Sequence, residues 1–495
     1  MEHFDVLVVG AGLSGIGAAV HLQRRCPDRS FALLEARDRL GGTWDLFRYP
    51  GVRSDSDMYT LGYAFKPWEQ PKAIADGPAI LQYIRDTARE HDVERHIRYG
   101  LQVRHASWST ADARWTVQAV RAGSGDIVQF SCNFLFMCSG YYRYDAGHLP
   151  QFEGSERFRG RMVHPQHWPQ DLDYSGQRVV IIGSGATAVT LLPQMAKTAA
   201  HVTLLQRSPT WIVARPSEDV WANRLRRWLP SRPAYALTRW KRVLLGMYIY
   251  RLCKRRPERV SRMLLGGVRA WLGPEADIDT HFKPRYKPWD QRLCLVPDGD
   301  FFLALRRQTA SMVTDEIEGF TEGGLKLKSG KELPADLVVT ATGLQMQVLG
   351  GMQIEVDGRP VDMAATVGYK AMMYSGVPNL ASCMGYTNAS WTLKCDLSCE
   401  YVCRLLNHMR RHGLPQCTPT LADASMPLQP WNDLSSGYVQ RAAHLLPKRG
   451  TRAPWLLKQN YLHDLLTLRY GRIDDGAMVF SGPAVAAGPQ PAAAA

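Results

Sequence analysis

Two glycine-rich loops carry the residue types that bind phosphate groups. The loop GAGLSG at positions 10–15 follows a strand predicted at residues 4–9, and GSGATA at positions 183–188 follows a similar strand at residues 178–182. Glycines in such loops permit a tight turn and close approach of a pyrophosphate, to which the next helix offers its free N–H groups. The spacing therefore predicts two dinucleotide-binding units of the βαβ type.

The two units differ in the charge that ends their second strand. Glu35 lies twenty residues beyond Gly15, where an acid can hold ribose hydroxyls, whereas Arg207 and Ser208 end the corresponding strand of the second unit. A carboxylate would repel a 2′-phosphate, while a guanidinium can bind it with two hydrogen bonds. We therefore expect FAD in the first unit and NADPH in the second.

A flavin beside a nicotinamide implies hydride transfer, and the next electron acceptor is then oxygen, a quinone or a protein. A dithiol is disfavoured because the chain has no CxxC or CxxxxC pair. The ten cysteines are scattered, which favours free thiols in a reducing compartment. Cys395, Cys399 and Cys403 recur every four residues, which fits packing on one helix face better than a metal cluster.

Two further strings resemble the signatures of one enzyme family. FRGRMVHPQHWP at residues 158–169 fits the spacing FxGxxxHxxxWP, and GTWDLFRYPGVRSD at residues 42–55 fits GxWxxxxYPGxxxD. Both are similar to the fingerprints of type I Baeyer–Villiger monooxygenases, and several other stretches are similar to mycobacterial members. The resemblance covers residues 4–475. It implies an FAD-containing enzyme that uses NADPH and O2 to convert ketones to esters or lactones through a C4a-peroxyflavin, with S-oxidation of sulfides or thioamides as a side activity.

The resemblance also implies roles for residues that match the motifs. The two loops and the signature at residues 42–55 would bind the cofactors. Within that signature, Arg53, Ser54 and Asp55 would lie where the cofactors meet, and Val103 would touch the adenine. The predicted cofactor-binding residues are Gly10, Gly12, Ser14, Gly15, Glu35, Gly42, Thr43, Trp44, Asp45, Leu46, Arg53, Ser54, Asp55, Val103, Gly183, Ser184, Gly185, Ala186, Thr187, Ala188, Val189, Arg207 and Ser208.

Arg292 matches the active-site arginine of this family. A permanent cation beside a peroxide would lower its proton affinity and stabilise the negative charge of the tetrahedral adduct with a ketone. Asp55 would orient Arg292 through a charge-assisted hydrogen bond. His164 is expected to position the domains or to be a structural histidine, and Trp391 either lies beside the flavin or packs in the core.

These features predict an α/β fold with two Rossmann-like dinucleotide-binding domains and a helical insert. Each domain would be formed by two separate parts of the chain. The expected divisions are residues 1–145 and 336–475 for the FAD-binding domain, 146–220 and 286–335 for the NADP-binding domain, 221–285 for the insert, and 476–495 for a disordered tail.

The net charge of +14 is concentrated in one segment, because residues 221–270 contain fourteen Lys and Arg but a single acid, Glu258. Trp, Leu, Met and Tyr alternate with these bases. Such a segment is either the solvated outer face of helices above the active site or a surface that contacts an anionic membrane. Nucleic acid is disfavoured because no nucleic-acid-binding module accompanies the bases.

Two other functions remain open at this point. One is a flavin-containing monooxygenase limited to N- or S-oxidation, against which the Trp168-Pro169 ending of the fingerprint and the Asp55/Arg292 pair weigh. The other is a non-enzymatic flavoprotein at a membrane surface. The chain has no secretory signal or long apolar run, so we expect a cytoplasmic protein, peripheral on the membrane if the basic insert binds it. The physiological substrate and the oligomeric state are not encoded in these motifs.

Overall fold

The computed structural model describes residues 1–482. The strands within this range are β1 (Glu2–Val9), β2 (Phe31–Leu34), β3 (Ile97–Arg98), β4 (Leu101–Ser109), β5 (Arg114–Arg121), β6 (Ile127–Met137), β7 (Arg161–Val163), β8 (Arg178–Ile182), β9 (His201–Gln206), β10 (Ile212–Arg215), β11 (Cys294–Pro297), β12 (Ala310–Thr314), β13 (Ile317–Thr321), β14 (Gly324–Leu327), β15 (Glu332–Pro334), β16 (Leu337–Thr340), β17 (Gln353–Val356), β18 (Arg359–Pro360), β19 (Gly368–Tyr369), β20 (Met373–Tyr374), β21 (Leu380–Ser382), β22 (Gln416–Pro419), β23 (Leu428–Pro430), β24 (Lys448–Gly450) and β25 (Met478–Ser481).

The helices alternate with these strands in the pattern of an α/β protein. Within the same range they are α1 (Leu13–Arg25), α2 (Thr43–Leu46), α3 (Met58–Leu61), α4 (Gly77–Glu90), α5 (Ala186–Met195), α6 (Val220–Trp228), α7 (Ser231–Arg255), α8 (Pro257–Leu272), α9 (Ile278–Phe282), α10 (Asp300–Arg306), α11 (Trp391–Arg411), α12 (Gly437–Ala442) and α13 (Tyr461–Asp464).

The larger sheet is built around β1. It has the order β18-β17-β4-β5-β6-β1-β2-β3, and β21 also pairs with β6. β1 is parallel to both β2 and β6, and Val6 to Val9 are almost completely buried between them. Strands covered on both faces must be apolar throughout, which is why the run VLVV is found here. Helices α1 and α11 pack against one another on the same core.

The smaller sheet consists of five parallel strands in the order β12-β9-β8-β16-β7. It contains the second glycine loop unit, so both predicted βαβ units and the predicted α/β fold are confirmed. The predicted domain boundary at residue 336 is wrong, however, because β16 (residues 337–340) lies between β8 and β7. The run LVVT of β16 is fully buried within this sheet. The chain returns to the larger sheet only at β17, which pairs with β4.

The chain crosses between the sheets twice, and the two crossing segments are bonded to each other. Outgoing residues 139–150 follow β6, and returning residues 341–352 follow β16. Three backbone hydrogen bonds join them: Arg143 N–H donates to Gln345 O at 2.9 Å, His148 N–H to Gly343 O at 3.0 Å, and Gln347 N–H to Tyr141 O at 3.0 Å. The two sheets are therefore linked by a paired double connection.

The predicted basic insert contains α6, α7 and α8. Helix α7 packs on α3 of the larger domain, while α8 packs on α10 of the smaller one, so the insert bridges both. In the part of the chain that the structure describes, no helix combines the length and the apolar character needed to cross a bilayer.

The predicted tail begins too early. Residues 478–481 form β25, which pairs antiparallel with β22. Met478 is 2% exposed, and Phe480 packs against the core of the larger domain, so this end of the chain is held by apolar side chains that the Ala- and Pro-rich composition after them obscured. The remaining predicted tail, 483–495, lies outside the described residues.

All ten cysteines are free and buried. Cys395, Cys399 and Cys403 lie on the inner face of α11 within the core. Cys383, which precedes this helix, packs in the same core, and its Sγ lies 3.9 Å from that of Cys399. Their positions agree with small apolar side chains that pack.

The two faces of β25 allow a test of its contribution to stability. Met478→Ala should destabilise the protein by about 2–5 kcal/mol, since it leaves a cavity in the core. Val479, which is 46% exposed on the same strand, provides the matched control, and Val479→Ala should change stability by less than about 0.5 kcal/mol. Urea unfolding followed by fluorescence measures both, and equal effects would contradict the observed pairing of β25.

Candidate functional site

A large cavity of about 780 Å³ opens where the carboxyl ends of β1 and β6 meet the double connection. Ligands of α/β proteins bind at this edge of the sheet. The cavity brings together residues that are far apart in sequence. Its lining includes the predicted residues Gly10, Gly12, Ser14, Glu35, Gly42, Thr43, Trp44, Leu46, Ser54, Asp55, Val103 and Arg292.

Glycines form the narrow floor of this cavity. Gly10 has φ +105°, and a Cβ there would lie 2.6 Å from the carbonyl oxygen of Cys138. A Cβ on Gly42 would lie 3.0 Å from the Cα of Gly12. Helix α1 starts directly after Gly12 without a side-chain cap. Its first N–H groups are thus available at the cavity floor, as an anionic pyrophosphate requires.

Glu35 ties the glycine loop to the end of β2. One carboxylate oxygen, Oε2, accepts the N–H of Ala11 at 2.7 Å, and the other accepts the N–H of Arg37 at 3.0 Å. Burial raises the pKa of Glu35, although these hydrogen bonds oppose the shift. The carboxylate therefore orders the loop and also lines the cavity.

Three of the residues predicted from the first loop and the signature at residues 42–55 do not line the cavity. Gly15 packs inside the loop, where a Cβ would lie 1.8 Å from the oxygen of Gly10. The Asp45 side chain is fully buried and paired with Arg37 at 2.6 Å, behind the wall. Arg53 points to the smaller domain, where its Nη1 lies 2.5 Å from Asp300 on α10. The motif fixed their positions in sequence but not the direction of their side chains.

Arg292 and Asp55 form an ion pair in the cavity wall. Arg292 Nη2 lies 3.1 Å from Asp55 Oδ2, and Arg292 Nη1 donates to the carbonyl of Thr387 at 3.1 Å. Each of the two paired side chains keeps roughly a third of its surface exposed. The carboxylate of Asp55 raises the pKa of Arg292 above the usual arginine range, so the guanidinium stays charged. The predicted pair is thus brought together across 237 residues of chain.

The loop before Arg292 is held by Asp290. Its Oδ2 accepts the N–H of Lys287 at 3.2 Å, and its backbone carbonyl accepts the N–H of Ser435 at 3.0 Å. Lys254 on α7 pairs with the other carboxylate oxygen at 2.8 Å. The insert therefore helps to position the segment that presents Arg292.

Three tyrosines that the sequence analysis did not identify, Tyr141, Tyr142 and Tyr438, line the wall beside this pair together with Trp391. The ring of Tyr141 stacks on Trp391 with centroids 4.8 Å apart, and its hydroxyl lies 2.5 Å from that of Tyr142. Trp391 Nε1 donates to Ser14 Oγ at 2.9 Å, so Trp391 both lines the cavity and packs. Tyr438 lines the same wall, and burial raises its pKa. Tyr141 directly follows Gly140, but it belongs to neither of the two signatures, so no motif pointed to it.

The second glycine loop lies outside this cavity. Gly183 has φ +134°, and a Cβ there would lie 2.4 Å from the carbonyl oxygen of Ala341. Gly185 is exposed and precedes α5 without a side-chain cap, and Arg207 and Ser208 are exposed just beyond β9. The loop therefore presents the free N–H groups of α5 and a guanidinium to the same solvent-accessible edge of the smaller sheet.

The signature at residues 42–55 also joins the two domains. A Cβ on Gly51, which has φ +74°, would lie 2.2 Å from Gln194 Cγ on α5. Burial raises the pKa of the neighbouring Tyr49 to about 12, although Thr187 of the second loop opposes the shift. The segment that carries Asp55 is thus attached to the smaller domain.

His164 lies against both crossing segments. Its Nε2 is 3.2 Å from the carbonyl oxygen of Gly343, and its Nδ1 accepts the N–H of Gln166 at 3.2 Å. A Cβ on Gly147 would lie 2.0 Å from its ring. Burial lowers the pKa of His164. These contacts agree with a positioning role, and His164 does not line the cavity.

The backbone conformation and close packing of Gly183 predict that a side chain at this position would destabilise the protein measurably. Gly183→Ala should lower the thermal midpoint, because its φ disfavours L residues by about 1–3 kcal/mol and the Cβ meets a backbone oxygen. Gly176 is the control, since it has φ +69° and a Cβ there would have nothing within 4 Å. Gly176→Ala should cost clearly less, and equal losses in differential scanning calorimetry would contradict the close approach.

Comparisons with known proteins agree with this geometry. Residues 64–232 match the family described as flavin-binding monooxygenase-like, and residues 8–69 match a NAD(P)-binding Rossmann-like domain. FAD-containing monooxygenase EthA of Mycobacterium tuberculosis is 52% identical over 97% of this chain and 98% of its own. The probable FAD-binding monooxygenase AlmA of Acinetobacter baylyi is 47% identical over 97% and 96%.

Solved structures agree in fold. An oxidized steroid monooxygenase bound to NADP has a TM-score of 0.71 at 24% identity, covering 84% of this chain and 88% of its own. An open cyclohexanone monooxygenase has a TM-score of 0.73 at 18% identity, covering 97% and 100%. With relatives that share half of its residues over nearly its full length, the chain belongs to the family of flavin-binding monooxygenases.

Proposed function

We propose that this flavin-binding monooxygenase is a Baeyer–Villiger enzyme that uses FAD, NADPH and O2 to convert a ketone to an ester or lactone. The balanced reaction consumes one ketone, O2, NADPH and a proton, and yields the ester, NADP+ and water. The observation that carries the proposal is the Arg292–Asp55 pair, which places a charged guanidinium in the wall of the large cavity.

The cavity fits FAD on its own features. The glycines let the backbone segments of the floor pack closely where a Cβ would clash, and the free N–H groups at the start of α1 suit the pyrophosphate. Glu35 would bind ribose hydroxyls, while Ser14, Thr43, Trp44, Leu46 and Val103 would contact the rest of the cofactor. Bound FAD, reduced by NADPH, would supply the electrons that activate O2.

The protein would contribute charge and the exclusion of water. Arg292 would stabilise the negative charge that develops as an oxygen nucleophile adds to a carbonyl, and its raised pKa keeps it protonated at any working pH. Asp55 would fix the orientation of the guanidinium. The rings of Tyr141, Tyr142 and Trp391 would cover this region and keep water away.

Part of the remaining wall suits an apolar substrate. Beyond the tyrosines, a group of apolar side chains lines the cavity next to polar ones such as Gln347 and Asn432, and ligand sites take much of their affinity from such apolar surface. The apolar side chains are Met346, Met384, Trp431, Leu434 and Leu446. We therefore place the ketone between this wall and Arg292.

NADPH would bind at the second glycine loop. Gly183 to Val189 would contact its pyrophosphate, and Arg207 with Ser208 its 2′-phosphate. Arg53, Ser54 and Asp55 belong to the segment that connects this loop with the cavity, which supports their placement between the cofactors. The hydride would then have a short path to the flavin.

S-oxidation is the second candidate activity. A sulfide needs an electrophilic oxygen and develops no oxyanion, so it should depend less on Arg292 than a ketone does. An enzyme limited to N- or S-oxidation, or a flavoprotein without turnover, would leave the Arg292–Asp55 pair without a chemical role.

The two reactions can be separated by changing this pair. Arg292→Ala should lower kcat/KM for ester formation by about 10²–10³-fold, the usual loss when an oxyanion stabiliser is removed, while sulfoxide formation falls less. Asp55→Asn should give a smaller loss. Product mass spectrometry with one ketone and one sulfide, together with NADPH consumption, measures this.

Arg285 supplies the control, because it is exposed in the same segment and forms no ion pair with any described residue. Arg285→Ala should leave both products unchanged. A wild-type enzyme that makes sulfoxide but no ester from linear, cyclic or aryl ketones would contradict the Baeyer–Villiger proposal.

The nicotinamide preference depends on Arg207. Arg207→Ala should raise KM for NADPH by about 10- to 100-fold, the value of a lost hydrogen bond to a charged group, and leave KM for NADH nearly unchanged. Arg307→Ala, which removes another exposed arginine of the smaller domain, controls for net charge. Equal shifts for the two nucleotides would argue against a 2′-phosphate contact.

A further inference from the structure

Helix α7 directs some of its basic side chains into the protein. Arg239 is 7% exposed and donates to the carbonyl of Tyr59 at 2.9 Å and to that of Gly62 at 2.7 Å. Its Nη2 also lies 3.3 Å from Asp396 on α11. Close by on the same helix, Lys241 and Arg242 pair with Asp219. Part of the basic charge in this insert is therefore used for internal packing.

The outer side of α7 carries a run of large apolar residues. Between residues 237 and 248 they recur at helical spacing and form one stripe along the solvent face, where a surface helix usually carries polar residues. The stripe, which we call the outer face of α7, consists of Leu237 (51% exposed), Trp240 (41%), Leu244 (50%), Leu245 (40%) and Tyr248 (64%). Tyr461 packs edge-on against Trp240, with ring centroids 5.9 Å apart, but each of the five side chains keeps at least 40% of its surface exposed. Exposed apolar stripes of this kind mark binding surfaces.

The insert that carries the outer face also carries exposed arginines without an acidic partner among residues 1–482. Trp228 and Met263, on the neighbouring helices α6 and α8, add exposed apolar surface. The arginines lie on the same three helices or between them and form no ion pair with an acid among residues 1–482. They are Arg224, Arg227, Arg232, Arg251, Arg255, Arg256, Arg259, Arg262 and Arg269.

We propose that the outer face of α7 docks this protein on the surface of an anionic lipid bilayer, with the helix lying in the plane of the interface. The Trp, Leu and Tyr side chains would enter the headgroup boundary, and the arginines would meet anionic headgroups. Charge selects this occupant over a second copy of the chain. Two such faces would bring together two segments that each carry a net charge of +13 over residues 221–270.

The opposite side of α7 touches the wall of the cavity. Val243 and Met247 pack with Tyr386 and Leu393, and Tyr386 lines the cavity. Docking would hold this wall next to the bilayer, so apolar substrates dissolved in the lipid would reach the cavity without crossing bulk water. This consequence rests on the proposed function, whereas docking itself does not.

Sedimentation with vesicles tests the proposal on the full-length, FAD-loaded protein. Wild type should sediment with phosphatidylcholine vesicles containing about 30% phosphatidylglycerol at low salt, and should be released by about 1 M NaCl. The triple variant Leu244→Ser/Leu245→Ser/Tyr248→Ser and the double variant Arg251→Glu/Arg255→Glu should each bind at least about tenfold more weakly.

Ile127→Ser is the matched control, because Ile127 is 66% exposed on β6, away from the insert. It should bind vesicles as wild type does. Thermal midpoint, flavin absorbance and NADPH oxidation verify that every variant is folded. If the wild-type protein binds vesicles but converts no substrate, the proposed function is refuted while the docking proposal stands.

Three results would overturn the docking proposal. They are the absence of wild-type binding at low salt, equal binding to pure phosphatidylcholine vesicles, and unchanged binding by the triple variant. A dimer in analytical ultracentrifugation that the triple variant abolishes, with no vesicle binding, would assign the outer face to a second copy instead.

Discussion

The cavity depends on the paired double connection between the two sheets. Outgoing residues 139–150 supply Tyr141 and Tyr142, and returning residues 341–352 supply Met346, so both crossing segments also form cavity wall. The backbone hydrogen bonds between the two segments fix the positions of these residues relative to one another. His164, which contacts Gly343 and leaves no room for a side chain at Gly147, holds the two segments from the side of the smaller sheet. A change in the angle between the sheets would therefore reshape the wall.

The Arg292–Asp55 pair joins the same two parts of the molecule. Asp55 follows the segment that packs on α5, and Arg292 precedes β11, which belongs to the core of the smaller domain. The guanidinium is in the cavity wall only when both attachments are in place. The position of the charge is thus coupled to the arrangement of the domains, which connects a local electrostatic property with the overall fold.

Sequence alone predicted the elements that have strong local signals. Residues 178–182 form a strand with the predicted bounds, and the predicted strand at residues 4–9 lies within β1, because short apolar runs before glycine have few other solutions in an α/β protein. The motifs also predicted a set of site residues in the first unit, and the structure brings most of that set to the cavity. Side-chain direction was beyond the reach of the motifs, as Asp45 demonstrates: its carboxylate binds Arg37 behind the wall.

Residues without a motif were missed for a physical reason. Tyr438 reaches the cavity through a connection whose path is set by tertiary contacts, such as the hydrogen bond from Ser435 to Asp290. The composition of α7 likewise indicated where the basic charge lies in the sequence. It did not indicate which side chains of this helix point inward and which face solvent. Only the packing on α3 and α11 reveals that Arg239 is inside and Trp240 outside, since both residues are compatible with either side of a helix.

The burial of every native thiol has a practical consequence for spectroscopy. Because all ten cysteines lie inside the protein, the unmodified chain is already a background for site-directed labelling with maleimide reagents. One cysteine introduced on an exposed position of each sheet would accept a donor and an acceptor dye without removal of any core residue. Energy transfer between the two dyes would then report the distance between the sheets during turnover.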